Sequence, residues 1–172
     1  MRRRVAISLI GVSSCLLACT SPLSPTEVLE LGRAERRWAA RQFDAYTFEY
    51  RVSCGLCPPF FYQLTRVSVY QGQVYSVVYV ANDSALAPEE SAYFPSVDSL
   101  FAEIRRLPHE DWVRDVKVEY DPALGYPTLI EAISHPNIAD AGGAEYIRNL
   151  VPQYVAFDER AMKSRFRPSR PK

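Results

Sequence analysis

From residue 47 to residue 54 the chain alternates without a break. Phe48, Tyr50, Val52 and Cys54 are apolar, and Thr47, Glu49, Arg51 and Ser53 between them are polar. An extended chain points successive side chains to opposite faces, so this stretch forms a strand with one dry face and one wet face. That is the signature of an antiparallel sheet covered on one side. Strands of a doubly covered parallel sheet read instead as continuous apolar runs.

The same reading extends along the chain. Residues 64–70 and 73–80 are a second and a third strand, joined by a hairpin turn at Gln71-Gly72. Residues 112–120 are a fourth strand, with Val116, Val118 and Tyr120 on one face. After the turn Asp121-Pro122-Ala123-Leu124-Gly125, residues 126–134 are a fifth, with Pro127 near its start where a missing donor costs least. Residues 144–151 are a sixth.

Helical periodicity appears twice. Residues 26–44 repeat Leu31, Ala34 and Trp38 on one face, with Thr26 as cap and Glu27 and Glu30 in the first turn, where the helix dipole favours acids. Arg33, Arg36, Arg37 and Arg41 form a basic flank: a solvated face, with lipid headgroup contact as the lesser alternative. The second helix starts at Ser96, carries Val97, Leu100, Phe101, Ile104 and Leu107, and stops at Pro108. Residues 82–95 are a long polar connection. The order is α-βββ-α-βββ, an α+β fold with an antiparallel sheet and two helices on one face. The expected domain spans residues 26–156; the pattern leaves open whether its halves form one sheet or two.

Charge is unevenly placed. The chain is neutral overall, yet residues 1–18 and 160–172 carry only basic charges and the stretch between is strongly acidic. An acidic body repels nucleic acid. The basic residues 157–172 have little apolar pattern and are expected to be a disordered tail, either solubilising or resting on an anionic surface or an envelope protein.

The N-terminus reads as an address. Met1-Arg2-Arg3-Arg4 precedes an uncharged stretch, residues 5–18, which as a helix spans roughly 21 Å, too short for a hydrocarbon core of about 30 Å. It fits a signal peptide, residues 1–18. Leu16-Leu17-Ala18-Cys19 looks like a bacterial lipobox, in which the Cys19 thiol takes diacylglycerol and the chain is cut before it. Thr20 rather than Asp after that cysteine implies the outer membrane, facing the periplasm, in a host with two membranes. Residues 19–25, rich in Ser and Pro, are a short tether.

Removing Cys15 with the leader and Cys19 with its lipid leaves Cys54 and Cys57 in an oxidising compartment. A redox C-x-x-C opens a helix, which lowers its first thiol's pKa. Here the pair follows a strand and precedes Pro58-Pro59, and a haem attachment site would need His at position 58. The context favours a structural disulfide; thiol-disulfide or metal-handling chemistry and free thiols are the alternatives. His109 and His135 stand alone beside prolines, and no nucleophile elbow, phosphate loop, dinucleotide fingerprint or zinc-helix motif occurs. No cofactor is expected. Glu89-Glu90 and Glu110-Asp111 read as solvated loop acids. Phe60-Phe61-Tyr62 beside the cysteines is the remaining candidate site. It is either a presented recognition edge or a looped-back part of the core.

Several blocks together resemble one family. They are the lipobox, Trp38 in the first helix, Tyr46-Thr47-Phe48-Glu49-Tyr50 leading to the cysteine pair, Ser96-Val97-Asp98-Ser99-Leu100-Phe101, and Tyr120-Asp121-Pro122-Ala123-Leu124-Gly125-Tyr126-Pro127-Thr128. The set is similar to small bacterial lipoproteins built on the domain of unknown function numbered 6174, over about residues 30–152. Members often separate their two cysteines by one residue, where here Gly55 and Leu56 intervene. The resemblance implies a secreted α+β domain and brings no activity or catalytic residues. The expected function is a lipid-anchored, non-enzymatic binding or scaffold module of the cell envelope. Its rivals are a thiol-disulfide or metal-handling protein using Cys54 and Cys57, and an inhibitor or sensor presenting the Phe60 loop.

Overall fold

The computed structural model describes residues 23–138 and 141–153. The leader, Cys19 and the basic tail lie outside the described residues. The elements are α1 (Pro25–Ala39), β1 (Ala45–Cys54), a 3-10 turn (Pro59–Phe61), β2 (Thr65–Tyr70), β3 (Gln73–Tyr79), α2 (Pro88–Ser91) and α3 (Val97–Arg106). A second 3-10 turn (Leu107–His109), β4 (Val113–Tyr120), β5 (Pro127–Ser134) and β6 (Gly143–Pro152) complete them. The fold is α+β, as its alternating and helical patterns require.

The two βββ groups form one six-stranded sheet in the order β3-β2-β1-β6-β5-β4, with every pair antiparallel. The first and last strands meet at its centre, from Tyr46 opposite Pro152 to Cys54 opposite Gly143. At that upper end the backbones come close: a Cβ on Gly143 would lie 2.8 Å from the Ser53 carbonyl oxygen, so only glycine fits without a shift.

Two boundaries differ from the sequence pattern for identifiable reasons. α1 is capped by Ser24, not Thr26. Ser24 and Glu27 form a reciprocal capping box, and Pro25 fills the first helical position, where its missing N–H is no loss. The helix ends at Ala39 rather than residue 44, and Phe43 turns in to pack edge-on against Trp38 and Tyr46. The 82–95 connection is also more ordered than its polarity suggests. Ala85 bridges Val78 of β3, and Glu90 accepts the Ala87 N–H at the start of α2.

Leu31, Ala34 and Trp38 of α1 and Val97, Leu100, Phe101 and Ile104 of α3 are buried in one cluster with Tyr46, Phe48, Tyr50, Val67, Val69, Val77, Val116, Ile130 and Ile147 of the sheet. The helices are tied to each other at Asp98. Its carboxylate accepts from Trp38 Nε1 at 3.0 Å and pairs with Arg41 at 3.4 Å, while Arg41 stacks over the Trp38 ring. The β4–β5 turn is folded by Asp121, whose Oδ1 accepts from the backbones of Ala123 and Leu124. It closes on Gly125, which has φ +83° and abuts the Ala34 carbonyl of α1.

Gly125→Ala therefore combines a disfavoured backbone conformation with a direct overlap on α1. Equilibrium urea unfolding is expected to show a loss of at least about 2 kcal/mol.

Candidate functional site

Cys54 ends β1, and the chain turns through Gly55 and Leu56 to bring Cys57 back beside it. The two sulfurs lie at disulfide distance, with Cα atoms 5.8 Å apart. The pair thus sits on a strand end followed by a turn and a 3-10 segment, not on a helix N-terminus. Among the described residues no group of three or more His, Cys, Asp or Glu side chains is arranged to hold a metal ion.

The three aromatic residues after the pair separate into two roles. Phe60 and Phe61 are half-buried. Phe61 packs against Tyr50 (6.5 Å between centroids) and Phe94 (5.1 Å), and Phe60 against Phe94 (6.0 Å) and Tyr93 (5.9 Å). They join the rim of the core. Tyr62 instead stands 47% exposed, its hydroxyl donating to the Cys54 carbonyl at 3.4 Å. Tyr93, just after α2, is 68% exposed, and Leu56 at the tip of the disulfide loop is 84% exposed. The outward apolar surface at this end is therefore Leu56, Tyr62 and Tyr93, standing on a base of Phe60, Phe61 and Phe94. Tyr93 and Leu56 were not readable as site residues, because Tyr93 is distant in sequence and reaches the loop only through α2.

Beneath this rim lies a polar cluster that sequence reasoning missed. Tyr50 is buried, and its hydroxyl donates to Glu145 Oε2 of β6 at 2.6 Å. Glu103 of α3 hydrogen-bonds the same Glu145 from the helix side. Burial, then the charge of Glu103, pushes Glu145 up to about 7, and burial also raises Glu103 despite Arg106 beside it at 3.6 Å. Two carboxyls in contact cannot both ionise cheaply, so near neutral pH one proton sits between them. Burial likewise holds the Tyr50 phenol above its usual range, reinforced by Glu145. The signal was available as parity: Glu145 shares its face of β6 with the buried Ile147, so an acid points inward.

His109 and His135 do not join either cluster among the contacts described; His109 ends the second 3-10 turn and His135 follows β5.

A model of the family of unknown function DUF6174 matches residues 30–152. No curated protein and no solved structure matches the chain.

Because the folded-state pKa of Glu145 is raised, its contribution to stability is full below its unfolded value near 4.5 and is lost as pH rises through about 7. Thermal unfolding should show stability falling across that window, by about 3 kcal/mol at most. Glu145→Gln, whose amide can still accept from Tyr50 and donate to Glu103, should flatten this pH dependence while leaving the low-pH stability close to the parent's.

Proposed function

We propose that this chain, which belongs to the family of unknown function DUF6174, is a lipid-anchored, non-enzymatic binding module of the bacterial cell envelope. It meets its partner through the rim at Cys54–Cys57. The observation that carries the binding half is the exposure at one end of the sheet of Leu56, inside the loop stapled by the cysteine pair, of Tyr62, bonded to the Cys54 carbonyl, and of Tyr93, after α2 and packed on Phe60. Apolar side chains held this far into water cost solvation in the free protein and recover it when a partner covers them. Aromatic anchors on a rigid base lose little side-chain freedom on binding, which is why such residues dominate binding hot spots. Phe60 and Phe61 support this surface rather than present it.

The anchor half rests on the N-terminal pattern: three arginines, a short apolar stretch and Leu16-Leu17-Ala18-Cys19. Among the described residues no helix is long and apolar enough to cross a membrane. A diacylglyceryl thioether at Cys19 holds by its buried methylenes, each worth about 0.8 kcal/mol. In a host with two membranes the anchored domain faces the periplasm from the outer membrane, where the disulfide is maintained.

Two measurements test the halves separately. Mass spectrometry of the protein purified from envelopes is expected to find Cys19 at the N-terminus carrying diacylglycerol; a longer, unmodified N-terminus refutes the anchor. A photo-crosslinker at position 93 or 56 is expected to capture one and the same envelope component, and Tyr62→Ala with Leu56→Ser to weaken that capture at least tenfold. Crosslinking no different from that at position 119 on the polar sheet face refutes the rim.

A further inference from the structure

α1 buries Leu31, Ala34 and Trp38, so its opposite side faces outward. At 100° per residue that outward stripe is Pro25, Leu29, Arg33 and Arg36, with Val28 on its shoulder. Leu29 is 50% exposed and Val28 46%. The stripe carries no acid. Glu27 turns back into the capping box with Ser24, Glu35 is held by Arg105 of α3, and Glu30 flanks the stripe on the Arg33 side, about as far from its centre as Val28 is on the other. Among the described residues Arg33 and Arg36 have no ion-pair partner, whereas Arg41 is engaged by Asp98 and Arg105 by Glu35. The stripe thus sets two guanidinium groups without ion-pair partners and the exposed Leu29 on one helical face, with Val28 at its edge, within a body of acidic net charge.

We propose that this face of α1 lies on the anionic phospholipid surface to which the chain is anchored, with Leu29 and Val28 at the headgroup boundary and Arg33 and Arg36 on the phosphates. This rests on the lipid-anchor reading above. Reach and charge complementarity both favour that contact. The covalent path from Cys19 to the first helical residue, Pro25, spans at most about 20 Å. A lipid on Cys19 therefore keeps the start of α1 within about two Debye lengths of the bilayer at all times. The effective concentration of headgroups is then high enough for weak contacts to matter. The acidic body is repelled by an anionic surface, whereas among the described residues the helix that starts nearest the anchor presents a stripe of the opposite sign. Such a contact orients the domain instead of leaving it to rotate on its tether.

The basic residues of 160–172 also attract anionic lipid, so bulk affinity does not report which face is down. A positional readout does. The full chain purified with its lipid, as Leu29→Trp or as Val151→Trp, is placed in vesicles of phosphatidylcholine brominated on the acyl chain, alone or equimolar with phosphatidylglycerol. Val151 is 52% exposed on the open sheet face, and quenching is read as the increment over the parent's Trp38 and Trp112. The expected result is quenching at position 29 several-fold above that at 151 in the mixed vesicles, weakened by salt. Arg33→Gln with Arg36→Gln should lower the docking constant about 25-fold, roughly fivefold for each charge. Equal quenching at 29 and 151, or quenching at 29 unaffected by the arginine substitutions, overturns the proposal. Mass spectrometry of the same sample reports the anchor by itself. If Cys19 is bare, the anchor reading has failed, and the comparison of positions 29 and 151 on vesicle-bound chain still decides whether the stripe docks.

Discussion

The inward row of β1 sets the rest of the structure. Tyr46, Phe48 and Tyr50 are all buried, with centroids about 6 Å apart along the strand. Their rings supply much of the apolar surface that holds the helices to the sheet, but two of them carry a hydroxyl that must find a partner inside. Tyr46 accepts the Val97 N–H at 3.1 Å, which satisfies one of the orphan donors at the start of α3. Tyr50 donates to Glu145. One strand therefore fixes where α3 begins and which way β6 faces.

That arrangement explains why an acid is tolerated inside the sheet. A lone ionised Glu145 would be costly, and a lone neutral one would leave hydrogen-bonding capacity unfilled. With Tyr50 on one side and Glu103 on the other, the carboxyl is hydrogen-bonded from both, and a single proton shared with Glu103 removes one of the two charges. The helix that supplies Glu103 is already anchored by Ile104 and Leu100 in the core. The carboxyl contact is thus imposed by packing, and the proton follows from it. Above neutrality the same packing holds two like charges together where one was held before.

Much of this fold was legible because it is local. The alternation of residues 47–54 fixes which side chains of β1 face inward, and the spacing of Val97, Leu100, Phe101 and Ile104 fixes the buried face of α3. What was not legible is non-local. Nothing in the pattern of β1 says that its second neighbour is β6, with Glu49 reaching Arg148 and Asn149 at 2.9 and 3.0 Å. The same gap hid the polar cluster: Tyr50, Glu103 and Glu145 are each unremarkable in their own segments and become a unit only when β6 slots beside β1. The errors at helix ends have another origin. Thr26 is an acceptable cap, but Ser24 followed by Pro25 is better, because the proline cannot donate and its fixed φ suits the first turn.

The sheet's remaining surfaces bear on what its apolar rim is for. Its open face is mainly polar, although Val151 stands exposed there: Glu49 pairs with Arg148, and Arg51 stacks on Tyr146. Its edges are also occupied. On β3, Ala85 bridges Val78 and the Leu86 N–H bonds the Val77 carbonyl. On β4, the Val116 N–H is taken by Asp115 at 2.9 Å, and Lys117 and Glu119 add charge. Strand edges left bare invite other strands, and both are blunted here by the devices that keep sheets from pairing at random. The edges and most of the face are thus dressed for water, while Leu56, Tyr62 and Tyr93 stand exposed at one end of the sheet. Among the described residues Val28 and Leu29 of α1 and Tyr146 and Val151 of the open face are exposed as well, so exposure alone does not single out the rim; what does is the packed base of Phe60, Phe61 and Phe94 against which Tyr93 stands, which holds the ring outward at little cost in side-chain freedom.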